Sequence, residues 1–103
     1  RDRLRSRGLG DVYKRQIRIR AMLLLGKCYD AKNMHDMALR QLEEANKELI
    51  EMNDTKKEIL YMIGLLYEKL GKKEESLAAF QQIYDAEYGY RDVARRVESS
   101  YGS

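Results

Sequence analysis

This chain says one thing twice. Leu25-Gly26-x-x-Tyr29 is followed by Ala38-x-x-x-Leu42-x-x-Ala45, and Ile63-Gly64-x-x-Tyr67 is followed by Ser76-x-x-x-Phe80-x-x-Ile83. The copies lie 38 positions apart, and in each the glycine precedes the small residue by 12, so they match in register. Self-similarity at a period of about 20 to 50 residues means a supersecondary unit that buries its apolar face by stacking on its neighbour.

The spacing inside each copy is helical. From Ile17 to Asp30, Leu24, Leu25, Cys28 and Tyr29 recur at three- and four-residue steps, which predicts one buried face on a first helix, with Cys28 a buried thiol. Ala31-Lys32-Asn33 breaks the pattern. Met37, Ala38, Leu42, Ala45, Leu49 and Met52 predict a second helix from about His35 to Glu51. Thr55-x-x-Glu58 reads as a capping box opening a third helix, which carries Ile59, Leu60, Ile63, Leu66, Tyr67 and Leu70 and stops at Gly71. Leu77, Phe80, Ile83 and Tyr84 mark the buried side of a fourth helix. Val93, Ala94, Val97 and Tyr101 mark that of a fifth. Gly26 and Gly64 sit inside helices, where glycine costs about 1 kcal/mol relative to alanine. Close approach of a partner helix is the compensating reason.

A large apolar residue (Met22 or Leu60), then Leu-Gly or Ile-Gly, Tyr, and a small residue four before Leu or Phe: this pattern resembles the tetratricopeptide repeat. The resemblance covers residues 17 to 89 and implies an all-α fold. It implies an α-solenoid of antiparallel helix pairs, with one TPR-like pair over 17–52, a second over 53–87 and a C-terminal capping helix over 88–103. The closing helix is similar to the one that follows the last repeat in many bacterial members. Two units and a cap are few for such an array, so the chain reads as the C-terminal piece of a longer superhelix.

Charge is unevenly placed. Of a net +3, residues 1–16 hold +4 and the remaining 87 residues −1. The first sixteen, RDRLRSRGLGDVYKRQ, carry Gly8 and Gly10 and show no helical apolar stripe. They read as a disordered arm, and they resemble a translated sequencing-adaptor scar. No apolar run approaches the roughly 20 residues that a membrane span requires.

Reactive chemistry has little support in the residue types. Cys28 and His35 are single and have no partner at a metal-ligand spacing. Glu43, Glu44, Glu48 and Glu51 fall at helical spacing and read as a solvated face. No phosphate-cradling glycine loop is present. No catalytic residue, metal or cofactor is therefore assigned.

In the family the first helix of each unit lines the concave surface where partner peptides lie. Counting from the two glycines, the resemblance implies a partner-binding face of Arg20, Leu23, Lys27 and Asp30 from the first unit and Glu58, Tyr61, Leu65 and Glu68 from the second. Tyr61 is its expected aromatic anchor. Leu23 and Lys27 stand where a carboxylate-clamp subgroup has lysine and asparagine, so no such clamp is inferred. The reading is a non-enzymatic protein-interaction scaffold for a peptide, a protein partner or further repeats of its own chain. Two alternatives stand beside it: nucleic-acid association through the basic arm or the Arg91-Arg95-Arg96 cluster, and a regulatory segment of a larger enzyme.

Overall fold

The computed structural model describes the backbone of residues 2–102 and the side chains of 10–101. The order is α1 (Asp2–Ala31), α2 (His35–Glu48), α3 (Asp54–Lys69), α4 (Lys73–Ala86) and α5 (Val93–Gly102). Each helix packs on the next in the chain, so α1 and α2 form one antiparallel pair, α3 and α4 a second, and α5 lies against α4. Among the described residues there is no strand.

The two glycines fall where the helices of a pair touch. A Cβ on Gly26 would come within 2.8 Å of the Leu42 side chain, and one on Gly64 within 2.6 Å of the Phe80 ring. Leu42 and Phe80 are themselves fully buried and have no room to swing aside. At the second notch the Ser76 hydroxyl donates to the Gly64 carbonyl at 2.7 Å, tying α4 to α3 there. Its counterpart Ala38 is buried without such a bond.

The turns within the pairs repeat as well. Gly71 has φ +78° and Asn33, 38 positions earlier, has φ +61°. Both are left-handed helix ends, a conformation that glycine adopts freely and asparagine tolerates better than most residues. The amide of Lys72 donates to the Tyr67 carbonyl at 2.8 Å, and that of Met34 to the Tyr29 carbonyl at 2.8 Å. These six-to-one bonds close both helices in the same way and reverse the chain in the same direction.

Several boundaries and faces differ from those the sequence suggests. α3 is capped by Asn53, whose side chain accepts from the Lys56 amide at 2.8 Å, so Thr55 lies inside the helix and is not the head of a capping box. α2 ends at Glu48, three residues early, because Leu49 turns extended. The segment expected as a disordered arm continues α1 back to Asp2, as a proline-free stretch allows. Arg1 and the side chains of 2–9, including Arg3, Arg5 and Arg7, lie outside the described residues.

The buried side of α1 is formed by Ile19, Leu23 and Gly26, with Met22 and Tyr29 partly covered. Leu24, Leu25 and Cys28, expected inside, are exposed. α1 is apolar on two opposite sides, and helical spacing alone does not say which one α2 covers. Tyr101 is likewise exposed, its hydroxyl donating to Gln81 at 3.0 Å, while among the described side chains of α5 only Val93 and Val97 are fully buried.

Two outcomes follow from the notches. Gly64→Ala lowers stability by about 1 to 3 kcal/mol through overpacking against Phe80, although alanine is the better helix former. Gly10→Ala, with nothing within 4 Å, raises stability by up to about 1 kcal/mol. Thermal melts of the two variants check this, and a stabilised Gly64→Ala protein would remove the close-approach account.

Candidate partner-binding face

Six of the eight residues assigned to the inner face keep a polar or partly exposed position, and two do not. Leu23 is buried in the first pair. Tyr61, the expected exposed anchor, is 9% exposed and belongs to the core between α3, α4 and α5. Its ring meets Phe80 edge-on at 5.5 Å and Tyr90 at 6.1 Å between centroids. The closing helix and the turn before it cover a position that would be open on an isolated pair.

The charged members reach between the pairs. Lys27 on α1 meets Glu58 on α3 at 3.0 Å, and Asp30 on α1 meets Lys69 at the end of α3 at 2.9 Å. His35 Nδ1 lies 3.2 Å from the same Asp30 carboxylate, without hydrogen-bonding geometry. Arg20 is exposed and Leu65 half-buried. These pairs are partly solvated, and such pairs contribute roughly 0 to 1 kcal/mol each. They bridge α1 and α3 and add little to stability.

At the other end a polar latch holds α5. The Tyr61 hydroxyl donates to Asp92 Oδ1 at 2.7 Å, and Arg96 Nε donates to Asp92 Oδ2 at 3.0 Å. Arg96 Nη1 also reaches Glu68 at 2.9 Å, while its guanidinium lies 5.1 Å over the Phe80 ring. Burial alone would push the Asp92 carboxyl up, but the bonds from Tyr61 and Arg96 prevail and hold it below the usual carboxylate range. Burial, followed by the Asp92 bond, raises the Tyr61 hydroxyl. The turn into the latch passes through Arg91 at φ +44°, whose guanidinium sits 4.8 Å over Tyr61. Asp92 was not among the residues singled out from the sequence. Its only signal there is an acidic residue just before a helix rich in arginine.

Two further links join α2 to α3. The Tyr67 hydroxyl donates to Glu43 at 2.6 Å, and the Lys56 ammonium donates to the Asn46 and Leu49 carbonyls at 3.3 and 2.6 Å, closing the end of α2. The acidic residues of α2 are thus largely engaged: Glu43 with Tyr67, Glu44 with Lys47, and Glu48 with Arg18. Among the described residues no group of three or more His, Cys, Asp or Glu is placed to hold a metal. No helix there is long and apolar enough to cross a membrane.

The Tyr67 hydroxyl is pushed up to about 12, first by its bond to the Glu43 carboxylate and then by burial. Folding therefore favours its protonated form. The stabilisation is present below the unfolded value of about 10 and is lost as pH rises from there towards about 12. Tyr67→Phe is expected to melt below the parent at neutral pH, with the gap closing across that alkaline window; a gap independent of pH would contradict the assignment. Tyr61→Phe, which leaves Asp92 without one donor, is expected to cost about 1 to 2 kcal/mol in chemical denaturation.

Comparison with known proteins agrees with this geometry. A tetratricopeptide repeat model matches residues 20–48, covering the matching part of α1 and α2, and another matches residues 57–88, covering α3 and α4. No curated protein and no solved structure matches the chain. Such repeats generally mediate protein–protein interactions. With two units matched over more than half its length and stacked as antiparallel helix pairs, the chain belongs to the tetratricopeptide repeat family.

Proposed function

We propose that the protein is a non-enzymatic interaction scaffold that presents the inner surface of α1 and α3 to a peptide or protein partner. The observation that carries this reading is the pair of stacked repeat units whose charged inner side chains are bridged by Lys27–Glu58 and Asp30–Lys69. A partner meets a preformed strip that is basic at Arg20 and Lys27 and acidic at Asp30, Glu58 and Glu68, with one apolar side chain, Leu65, among them. Preorganisation of this kind lowers the ordering cost of binding. Tyr61 is a structural residue here and takes no part in the strip.

The basic C-terminal cluster gives no comparable support to nucleic-acid binding. Arg96 is paired with Asp92 and Glu68, Arg95 with Asp92, and Arg91 lies over Tyr61 and Tyr90. Neutralising phosphates would first require breaking these contacts.

Selection from a displayed random-peptide library, followed by amide chemical-shift mapping, tests the proposal. Enriched peptides are expected to perturb Lys27, Glu58 and Leu65, and to lose at least about tenfold in affinity on Leu65→Asp. Peptides that map to the outer faces of α2 and α4 instead would contradict it.

A further inference from the structure

A groove apart from the inner strip carries negative charge that the fold leaves unmatched. It runs between α2 and α4 over α3, encloses about 230 Å³ and is floored by Leu60, Ile63 and Ala79, all buried. It shares no residue with the inner strip. Two carboxylates line it from different repeat units, Glu43 on α2 and Glu75 on α4. Tyr67 lines it as well, its hydroxyl donating to Glu43 Oε2, and the charges of both carboxylates help to raise that hydroxyl. Elsewhere Glu44, Glu48, Glu58 and Glu68 each have a cation. Among the described residues Glu43 and Glu75 have none.

A third acceptor is left over on the same wall. Asn46, one turn along α2 from Glu43, also lines the groove, and its Oδ1 is buried without a hydrogen-bond partner. An acceptor buried without a donor is unfavourable, and native proteins keep few of them. The repeat itself does not require this set. The residues 38 positions from Glu43, Asn46 and Glu75 are Gln81, Tyr84 and Met37, none of them charged.

We infer that this groove seats an arginine side chain of a partner protein, its guanidinium meeting Glu43, Glu75 and the Asn46 side-chain oxygen and its alkyl stem lying on the apolar floor. A guanidinium offers five N–H donors in one rigid plane and is weakly hydrated, so it can serve acceptors on two helices at once. An ammonium offers three donors from a single point. The apolar floor suits a carbon stem and has no use to a metal ion or a lone water, and the volume is several times the roughly 30 Å³ that one water occupies. The groove is open on its outer side, so the backbone that carries the arginine can stay outside. Because the groove and the inner strip are built from different residues, either proposal can fail alone.

Titration of the full chain with the peptide acetyl-Ala-Arg-Ala-amide, followed by amide chemical shifts, tests this against the citrulline peptide of the same shape and no charge. The arginine peptide is expected to shift Glu43, Asn46 and Glu75 with a Kd below about 10 mM, and the citrulline peptide to bind at least about tenfold more weakly. Glu75→Gln, at an exposed position with no ion pair, should weaken the arginine peptide about three- to fivefold and leave the melting temperature unchanged. Asn46→Leu should weaken it too while melting no lower than the parent, since it removes an unpartnered acceptor. Ile50→Glu, on the exposed loop after α2, should leave binding unchanged. Equal binding of the two peptides, indifference to Glu75→Gln, or shifts confined to Asp30, Glu58 and Glu68 of the inner strip would overturn the inference. So would self-association of the chain that Glu75→Gln abolishes, which would name an arginine of a second copy as the occupant.

Discussion

The contact between a bare backbone on one helix and a large buried side chain on the next, Gly26 with Leu42 and Gly64 with Phe80, is the constraint on which the rest of the structure depends. A side chain at either glycine would have to occupy space that Leu42 or Phe80 already fills. The helices of each pair therefore nest closely enough for Ser76 to reach the Gly64 carbonyl. Turns of the same hand, with the same hydrogen bond, reverse the chain at Asn33 and at Gly71. Nesting and turn together make the second pair a copy of the first, and stacking follows from that.

Apolar burial and polar contacts divide the work between them. Each fully buried Leu, Ile, Val or Phe contributes about 1.5 to 3 kcal/mol, whereas a solvated ion pair contributes at most about 1 kcal/mol. Cohesion therefore comes from Leu42, Ile59, Leu60, Leu66, Phe80, Ile83, Val93 and Val97. The polar contacts set register: Tyr67 to Glu43 and Lys56 to the end of α2 align the pairs, and Tyr61, Asp92 and Arg96 align the closing helix. The ion pairs across the inner face are partly solvated and weak individually, so cohesion does not rest on them.

The repeat, the helix pairs, the two notches and the closing helix were all legible in the sequence, because each rests on spacing and on residue size. What was not legible depends on which neighbour arrives. α1 offers Ile19 and Leu23 on one side and Leu24, Leu25 and Cys28 on the other, and only the position of α2 decides between them. Tyr61 has the spacing of an open surface position, yet α5 folds over it, and nothing in the local pattern announces Asp92 as its acceptor. Asn53 rather than Thr55 caps α3 because the chain leaves α2 three residues early, a choice made by Leu49 turning extended. The arm, read from its glycines and missing stripe as unstructured, continues α1 as a helix.

The close nesting of the helices of each pair rests on the notches. The most direct test of the notch is a double-mutant cycle between Gly64 and Phe80, read by chemical denaturation. If the methyl of Gly64→Ala is destabilising because it meets the Phe80 ring, the same substitution made in a Phe80→Leu background should be tolerated or stabilising, with a coupling energy of at least about 1 kcal/mol. Additive effects would show that the ring is not what excludes a side chain from position 64, and would contradict the account at its base.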